Sequence, residues 1–318
     1  MEKLAGKKIL VTGGTGFLGG WLCKALLEEK ATVVVLARDK NKAGALCLHG
    51  IEKKVKIAEG SITDFEALGK IFSAEKPDYC VHLAAQSSVG KGERAKFETF
   101  HVNVQGTWDV LDAARRSKVK GVITASSGKV YGEKSGKVVN EDSPLNASTV
   151  YGESKAYADK LALSFGKSTG LGVCVARAGN IFGPKDPNAN RLVPNTIRRV
   201  LEGKPPLLRG NGKAKRDFVF VKDAADFYIK ALSDFPRAKG KAFNVASGKQ
   251  KTILETVLAI SAETGSKLEP EFAEPAFREE DESVFSAEAA KKLGWRAKTG
   301  FEEGIRQTVE WHGMFFGK

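Results

Sequence analysis

The chain has 318 residues, enough to bury a sizeable core in one large domain or two moderate ones. Its 42% hydrophobic and 28% charged residues are ordinary for a globular protein. The formal net charge is +13, but the lysines are dispersed, which argues against a nucleic-acid partner and is compatible with a basic cleft for a small anionic substrate.

Cysteine, histidine and the apolar runs exclude several further classes. Cys23, Cys47, Cys80 and Cys174 lie within apolar runs and form no C-x-x-C pair, so we expect buried thiols in a reducing compartment. The four histidines show no metal-ligand spacing, and we predict no metal site. The first residues lack the apolar core of a signal peptide, and no apolar run approaches the length of a membrane span. We therefore expect a soluble, cytoplasmic protein without a membrane partner.

A glycine-rich loop follows the first predicted strand, residues 7–12. Gly13, Gly16 and Gly19 form a G-x-x-G-x-x-G pattern, and an amphipathic helix is predicted from about 17 to 29. The first glycine permits a tight turn, the second lets the backbone approach a pyrophosphate, and the third lets the helix pack on the strand. Phosphate charge would then face the helix N-terminus. Because a strand precedes the loop and a helix follows it, we predict dinucleotide binding.

The end of the second predicted strand, residues 32–36, bears on the choice of cofactor. A carboxylate there would bind the adenosine ribose hydroxyls and indicate NAD. That position falls on Ala37, and the next residue is Arg38, whose guanidinium suits a ribose phosphate. Asp39 follows and could still reach the ribose. The sequence therefore favours NADP and leaves NAD open.

Strands and helices continue to alternate. Further strands are predicted at 55–58, 79–83, 122–125 and 173–177, and a helix is predicted from about 97 to 116. Thr63 and Glu66 have the spacing of a capping box at the start of a helix. This alternation predicts an α/β fold with a doubly wound parallel sheet, whose ligand lies beyond the carboxyl ends of the strands.

Tyr151 and Lys155 are four residues apart, so on a helix they share one face. A free tyrosine has a pKa of roughly 10, so a base at neutral pH needs a depression of ~3, or ~4 kcal/mol. We expect the Lys155 ammonium, with the positive charge of an oxidised nicotinamide, to supply it. Such a base removes a hydroxyl proton while hydride leaves the same carbon. An isolated pair of this spacing is usually a surface feature, and the dinucleotide pattern upstream gives this pair its meaning.

Six segments carry a further pattern: residues 11–19 (VTGGTGFLG), 82–86 (HLAAQ), 103–107 (NVQGT), 126–132 (SSGKVYG), 151–155 (YGESK) and 216–223 (RDFVFVKD). Together they resemble the extended short-chain dehydrogenase/reductase family, in its sugar-nucleotide epimerase/dehydratase branch. The resemblance covers nearly the whole chain. It implies that Tyr151 removes the proton of a sugar hydroxyl, that Ser127 orients that hydroxyl, and that Lys155 holds the nicotinamide ribose. In this branch hydride usually passes from sugar C4 to the nicotinamide and leaves a 4-keto sugar.

The resemblance also implies two binding sites and no metal. The cofactor site comprises Gly13, Thr15, Gly16, Phe17, Leu18, Gly19, Arg38, Asp39, Ser61, Ile62, Leu83, Ala84, Ala85, Gln86, Asn103, Ala125, Tyr151 and Lys155. The site for a nucleotide-diphosphate sugar comprises Gln86, Ser127, Gly128, Asn180, Arg191, Leu192, Arg216 and Arg278. Arginine's planar fork suits the phosphates of such a substrate.

The residues after Ser127 bear on the second half of the reaction. Dehydratases of this branch commonly carry there an Asp acid followed by a Glu or Lys base, and Gly128 cannot donate a proton. Lys129 stands at the base position, as in proteins that resemble CDP-glucose dehydratases, and is the fourth catalytic candidate. Burial would have to lower its pKa before it could act as a base.

The reaction type is therefore open at this point. A 4-epimerase needs only Tyr151, Ser127, Lys155 and room for the keto-sugar to rotate, which the small Gly128 suits, so mechanism favours an epimerase. Overall similarity, including residues 179–194, favours a CDP- or GDP-hexose 4,6-dehydratase. Further alternatives are an NADPH-dependent keto-sugar reductase and a non-catalytic cofactor-binding protein.

After residue 178 the pattern loosens into loops rich in Gly, Pro and Asn, as is typical of a substrate side. We expect a dinucleotide-binding Rossmann domain at 1–178 and a smaller C-terminal substrate-binding α/β domain at 179–318. Strands near 218–221 and 243–246 are expected to return to the first domain. The resemblance implies a homodimer through the helices near 97–116 and 150–169.

Overall fold

A computed structural model describes residues 3–132, 137–274 and 284–316. The strands are β1 (Lys8–Thr12), β2 (Thr32–Ala37), β3 (Lys56–Glu59), β4 (Tyr79–His82), β5 (Gly121–Ser127), β6 (Val138–Val139), β7 (Val173–Ala178), β8 (Asn180–Phe182), β9 (Leu207–Arg209), β10 (Lys215–Phe220), β11 (Lys241–Val245), β12 (Gln250–Thr252), β13 (Glu271–Ala273) and β14 (Val284–Phe285). The helices are α1 (Phe17–Glu28), α2 (Ala45–Leu48), α3 (Phe65–Glu75), α4 (Val89–Arg94), α5 (Lys96–Phe100), α6 (Gly106–Arg116), α7 (Val150–Thr169), α8 (Leu192–Leu201), α9 (Val221–Ser233), α10 (Phe235–Ala238), α11 (Ile253–Thr264), α12 (Glu288–Leu293) and α13 (Phe301–Phe316). A π-helical turn occupies His101–Gln105, and a 3₁₀ turn occupies Gly128–Tyr131.

Seven parallel strands form the central sheet, in the order β11-β7-β5-β4-β1-β2-β3. Its strands are apolar on both faces because helices cover both sides. On one face Ile9 and Val11 pack in a core with residues of α1 and α9. On the other face Leu10 packs in a core with residues of α3, α6 and α7. The predicted doubly wound Rossmann fold is confirmed.

The chain reverses its direction of travel across the sheet at β1. From β1 it moves to β2 and β3 on one side, and then crosses to β4 on the other. The loops that follow β1 and β4 therefore leave a crevice at their carboxyl ends, the usual ligand position in such sheets.

β10 lies outside the central sheet. It pairs in parallel with β8 and antiparallel with β12 in a separate three-stranded sheet. Val219 packs into the main core, whereas Phe218 and Phe220 pack on the opposite face with residues of α8, α11 and α13. β10 therefore does not pair with the Rossmann sheet, and the sequence did not show this because an apolar run indicates burial without indicating the partner strand. That the segment near 218–221 belongs to the first domain stays a prediction. β11, in contrast, pairs in parallel with β7 at the sheet edge.

Two local expectations also need correction. α3 begins after Asp64, whose carboxylate accepts a hydrogen bond from Ala67 N at 3.0 Å, so Thr63 is not the N-cap. The Thr63 hydroxyl instead contacts the Ser61 hydroxyl at 2.9 Å. Cys47 is exposed, unlike the other three cysteines, because the short α2 buries Ala45 and Leu46.

Within the described residues, every helix is too short or too polar to cross a membrane.

Candidate active site

A cavity of about 790 Å³ opens at the carboxyl ends of the central strands. Most of the residues singled out in the sequence line it: Gly13, Thr15, Gly16, Phe17, Leu18, Gly19, Arg38, Ser61, Ile62, Leu83, Ala84, Ala85, Gln86, Ala125, Ser127, Lys129, Tyr151, Lys155, Asn180, Arg191 and Leu192. Among described residues, four candidates are not part of the lining: Asp39, Asn103, Gly128 and Arg216. Arg278 lies outside the described residues.

The glycine loop is shaped for close approach of backbone to a ligand. Gly13 has φ +72°, and a Cβ there would lie 2.7 Å from Ala84 N. A Cβ on Gly19 would lie 2.1 Å from the Gly13 carbonyl oxygen, so only glycine lets α1 pack so near the loop. Gly16 is the N-cap of α1 and supplies no side-chain hydrogen bond, which leaves the first N–H groups of the helix to a ligand. This cradle fits the pyrophosphate of a dinucleotide.

Arg38 and Asp39 differ in what their side chains do at the end of β2. Arg38 is exposed and lines the cavity. The Asp39 carboxylate accepts a hydrogen bond from Asn41 N at 2.9 Å and lies 3.4 Å from the Lys42 ammonium. The Asn41 hydrogen bond is the main reason why the pKa of Asp39 is lowered. Asp39 is thus engaged with its own turn, and Arg38 is the group that faces the cavity.

Asn103 holds the cavity wall from behind. Its Oδ1 accepts a hydrogen bond from Gln86 N at 2.8 Å, and its Nδ2 donates to the Gln86 carbonyl at 3.0 Å and to Ser154 Oγ at 2.9 Å. Ser154 Oγ in turn donates to the Tyr151 carbonyl at 2.8 Å. The π-helical turn aims this buried amide between β4 and α7, and π-helical turns often occur at functional sites. Sequence reasoning did not identify Ser154, although it lies inside the YxxxK segment.

His82, which the sequence did not single out, is a second buried support. Its Nδ1 lies 2.7 Å from Thr12 Oγ1, and its Nε2 lies 3.1 Å from Thr107 Oγ1. Because Thr107 Oγ1 donates to the Asn103 carbonyl at 2.6 Å, His82 must carry its proton on Nε2. Burial, with the charge of Lys155, lowers the pKa of His82 to about 3. A neutral imidazole therefore joins β1 to the helix behind the cavity.

Tyr151 and Lys155 lie one turn apart on α7, whose N-cap Thr149 accepts a hydrogen bond from Gly152 N at 3.1 Å. The Lys155 ammonium donates to the Ala125 carbonyl at 2.6 Å, and burial lowers its pKa to about 8. Burial raises the pKa of Tyr151, whereas a hydrogen bond with Ser127 and the charge of Arg191 act in the opposite direction. The expected depression of the Tyr151 pKa by Lys155 is therefore not found here, because the ammonium is directed at the β5 carbonyl.

The space beside Gly128 is filled. A Cβ at this position would lie 2.4 Å from Cζ of Phe285, a buried ring on β14. Gly128 is itself buried and is not among the residues that line the cavity, so its expected contact with substrate stays a prediction. Lys129 lines the cavity, and its backbone N–H donates to Ser127 Oγ at 3.2 Å. Phe285 lies far away in sequence, and no local pattern pointed to it.

A buried ion pair supports the 3₁₀ turn that follows Ser127. Arg177 donates from Nε and Nη2 to the Asp159 carboxylate, both at 2.9 Å, and from Nη1 to the Tyr131 hydroxyl at 2.9 Å. Tyr131 donates to Asn244 Oδ1 at 2.7 Å. The network joins α7, β7, β11 and the turn. An arginine inside the apolar run of β7 was the sequence signal for it.

The predicted substrate residues take different positions. Asn180 lines the cavity, and its amide donates to the Asp217 carbonyl at 3.4 Å. Arg191 also lines it, donates to Asp186 Oδ2 at 2.9 Å and stacks its guanidinium 5.7 Å from the centre of the Phe17 ring. The Arg216 guanidinium donates to the Lys215 carbonyl at 2.8 Å, outside the lining of the cavity. The described residues contain no group of His, Cys, Asp and Glu side chains that could hold a metal ion.

Known proteins share this architecture and are similar to this chain over nearly its whole length. The family described as NAD dependent epimerase/dehydratase matches residues 9–246. The UDP-glucose 4-epimerase of Mycolicibacterium smegmatis is 32% identical over an aligned length of 309 residues, and the match covers 95% of this chain and 97% of that protein. The structure of UDP-glucose 4-epimerase from Thermotoga maritima with UDP-glucose has a TM-score of 0.90 at 29% identity and covers 97% of this chain and 99% of that one. That of dTDP-glucose 4,6-dehydratase from Bacillus anthracis in complex with NAD has a TM-score of 0.87 at 27% identity, with 97% of each chain covered.

Proposed function

The chain belongs to the NAD dependent epimerase/dehydratase family, and on that premise we propose that it is a nucleotide-sugar 4-epimerase. Residues 1–178, with β11, hold the cofactor, and residues 179–318 mainly hold the sugar nucleotide. The cavity lies at the boundary, where the glycine loop and the segment from 178 to 194 both contribute to its lining. Its relatives act on UDP-glucose and dTDP-glucose, which supports a nucleotide-diphosphate hexose as the substrate.

Each side chain has a separate task in this proposal. When bound, the nicotinamide supplies a hydride acceptor and, once reduced, a hydride donor. The Tyr151 phenolate takes the proton of the sugar C4 hydroxyl, which the Ser127 hydroxyl holds in place. Lys155, near the carbonyl end of β5, keeps a positive charge beside the reacting groups. The keto-sugar then rotates and presents the opposite face of C4. Tyr151 returns the proton to the C4 oxygen, and the configuration at C4 is inverted.

The contact between the Phe285 ring and Gly128 is the main support for an epimerase rather than a dehydratase. A dehydratase must protonate the leaving C6 hydroxyl and remove a proton from C5. An acid at position 128 is excluded twice, because glycine has no side chain and Phe285 occupies the space in which one would lie. Epimerisation needs no such acid, and the cavity keeps the groups that it does need.

One observation favours a second candidate, a CDP- or GDP-hexose 4,6-dehydratase. Lys129 lines the cavity two residues after Ser127, which supports a role as the base that acts on the sugar once C4 is oxidised. Dehydration would then require Lys129 or another group to serve without an acid at 128. The non-catalytic alternative has less support, because Tyr151, Lys155 and Ser127 all line the cavity. A keto-sugar reductase differs from the epimerase in that it would consume its NADPH.

For the cofactor we infer that the site accepts the ribose phosphate of NADP through Arg38. Arg38 faces the cavity, whereas the Asp39 carboxylate is engaged by Asn41 and Lys42. Known relatives bind NAD, so the site is proposed to take both cofactors.

We also propose a homodimer through α5, α6 and α7. Phe97 is 85% exposed, Trp108 46% and Tyr157 57%, and the three rings lie on neighbouring helices. Large exposed aromatic side chains in one region are typical of an interface. Light scattering should give twice the monomer mass, and Trp108→Glu with Tyr157→Glu should give the monomer mass.

The function is tested by incubating the NAD(P)-loaded protein with UDP-, dTDP-, CDP- and GDP-hexoses and separating the products. We expect one pair to reach a mixture of C4 epimers with no steady change in nicotinamide absorbance. A continuous loss of NADPH absorbance would instead establish the reductase. Salt-sensitive RNA binding without turnover of any sugar would support the non-catalytic alternative.

A further inference from the structure

Three lysine side chains converge on one indole outside the catalytic cavity. The ammonium groups of Lys24, Lys185 and Lys222 lie 5.9, 5.9 and 5.3 Å from the centre of the Trp21 ring. They come from α1, from the turn after β8, and from the first turn of α9. None of the four residues is among those that line the cavity. We call this group the Trp21 cluster.

Lys185 has a backbone conformation that is unusual for lysine. Pro184 and Lys185 are the central residues of a turn, and Lys185 has φ +70°. Proline followed by a residue with positive φ is the pattern of a type II turn, where glycine or asparagine is usual. The other positive-φ lysines, at 30, 76 and 118, follow the C-termini of helices, where this conformation is common. Strained residues away from such positions concentrate at functional sites.

The surroundings fix the cluster in place. Trp21 Nε1 donates to the Pro184 carbonyl at 3.0 Å, and the Trp21 ring meets His49 edge-on at 4.7 Å. The Lys185 ammonium lies 3.4 Å from His49 Nδ1, which accepts its hydrogen bond. Trp21 and Lys185 therefore have a defined arrangement, and Lys24 and Lys222 reach the same indole from α1 and α9.

Their positive charges are poorly compensated by the protein. The Lys24 ammonium lies 3.7 Å from Oε1 of Glu28, whose side chain is 66% exposed. In the parts of the chain that the structure describes, neither Lys185 nor Lys222 has a carboxylate within 4.0 Å. Burial and the charges of Lys24 and Lys222 lower the pKa of Lys185, as expected for like charges held together. The helix α9 has no side-chain cap at Phe220, so its positive end adds to the same field.

From this geometry we propose that the Trp21 cluster is a second anion site, which binds a phosphate or polyphosphate group. Lysine binds phosphate as a point charge, and three ammonium groups from separate elements suit an anion with more than one negative charge. The site is independent of the catalytic cavity and does not rest on the proposed reaction. Lys185 precedes Asp186, which binds Arg191 in the cavity, so the two sites lie one residue apart along the chain.

The test is calorimetric titration of the NAD-loaded protein with inorganic pyrophosphate at constant ionic strength. Lys185→Gln with Lys222→Gln removes two positive charges from the cluster. Lys53→Gln with Lys54→Gln removes two charges from exposed residues elsewhere and is the matched control. We expect the cluster variant to weaken pyrophosphate binding by about tenfold or more, and the control to change it by less than about twofold.

A third variant separates binding from folding. Lys185→Gly suits φ +70°, so its thermal unfolding temperature should equal or exceed that of the wild type, while pyrophosphate binding weakens. Equal binding in all four proteins would place the anion in the catalytic cavity and overturn the proposal. Absence of pyrophosphate binding to the wild type at millimolar concentration would overturn it as well.

Discussion

Burial and neighbouring groups set the protonation states of Tyr151 and Lys155 in the cavity. Burial raises the pKa of Tyr151 and lowers that of Lys155, so both groups shift toward their neutral forms. The Ser127 hydrogen bond and the Arg191 charge favour the phenolate. A bound oxidised nicotinamide would add positive charge on the same side. In the proposed reaction these influences together, rather than Lys155 alone, must outweigh burial before Tyr151 can act as the base.

Replacing Tyr151 by Phe removes the phenolic hydroxyl and leaves the ring. Turnover should fall by about 10²–10⁴-fold, the usual contribution of a general base, while cofactor affinity changes by less than about twofold. Single-turnover kinetics and cofactor titration measure the two quantities. Unchanged turnover would rule out Tyr151 as the base.

The pH profile of kcat/KM should show the titration of Lys155. Its ammonium is charged below a pKa of about 8 and is lost as the pH rises through that value. We therefore expect kcat/KM to fall above about pH 8. In Lys155→Arg the charge persists, so the residual activity should lack this alkaline fall. An identical alkaline limb in both proteins would assign it to another group.

The position of Arg38 in the cavity lining leads to a prediction about cofactor choice. Arg38→Ala should weaken NADP binding by about tenfold or more, the value of a charge-assisted hydrogen bond, and change NAD binding by less than about twofold. Fluorescence titration with both cofactors gives the ratio. Equal losses for the two cofactors would show that Arg38 does not bind the ribose phosphate.

At the scale of elements, the packing of β14 on the 3₁₀ turn defines the wall beside Ser127. Gly128→Ala would place a Cβ 2.4 Å from Phe285 Cζ and should destabilise the fold by roughly 1–3 kcal/mol through overpacking. Phe285→Leu replaces the ring by a smaller side chain, so the double variant should recover part of that loss. Urea unfolding of the two single variants and the double variant measures the coupling. Strictly additive effects would mean that the two residues do not share the space.

The elements of the first half were predictable because each carries a local signal. An apolar strand, three glycines and a helix determine the cradle around Gly13, and the spacing of Tyr151 and Lys155 places both on one face of α7. The family resemblance added the role of Ser127. The position of β10 was not predictable, since an apolar run does not reveal its partner.

Other parts of the site depend on contacts between residues that are distant in sequence. Phe285 packs beside Gly128 although the two are 157 residues apart in sequence. His82 contacts Thr12 and Thr107, which are also distant from it in sequence. The direction of the Lys155 ammonium toward Ala125 likewise depends on the packing of α7 against β5. A single sequence contains no local pattern for such contacts.

At the scale of the whole molecule, two buried histidines make the fold sensitive to acid. Burial lowers the pKa of His82 to about 3 and that of His312 to about 4, so both are neutral when folded. The unfolded chain binds protons below about pH 6.5, so stability is complete above that value and is lost as the pH falls toward 4. Between pH 7 and pH 5 we expect these two histidines to lower the free energy of unfolding by roughly 4 kcal/mol, and His49, whose pKa is lowered to about 4 chiefly by burial, to add to that loss.

His312 allows this account to be checked by substitution. Among the described residues, neither of its ring nitrogens has a hydrogen-bond partner. His312→Leu should therefore raise the unfolding free energy at pH 7 by about 1 kcal/mol and reduce the loss between pH 7 and pH 5 by roughly 2 kcal/mol. Urea unfolding at pH 5 and pH 7 tests both effects, and an unchanged pH dependence would show that His312 does not contribute.

Mass spectrometry of nucleotide-hexose products formed in deuterated water distinguishes C4 epimerisation from dehydration. The cavity supplies Tyr151, Ser127 and Lys155 but has Phe285 where an acid at position 128 would lie. We predict a product of unchanged formula, with no deuterium on carbon and inverted configuration at C4. Loss of one water with uptake of deuterium at carbon would contradict the claim and make the protein a dehydratase, with Lys129 as its leading base.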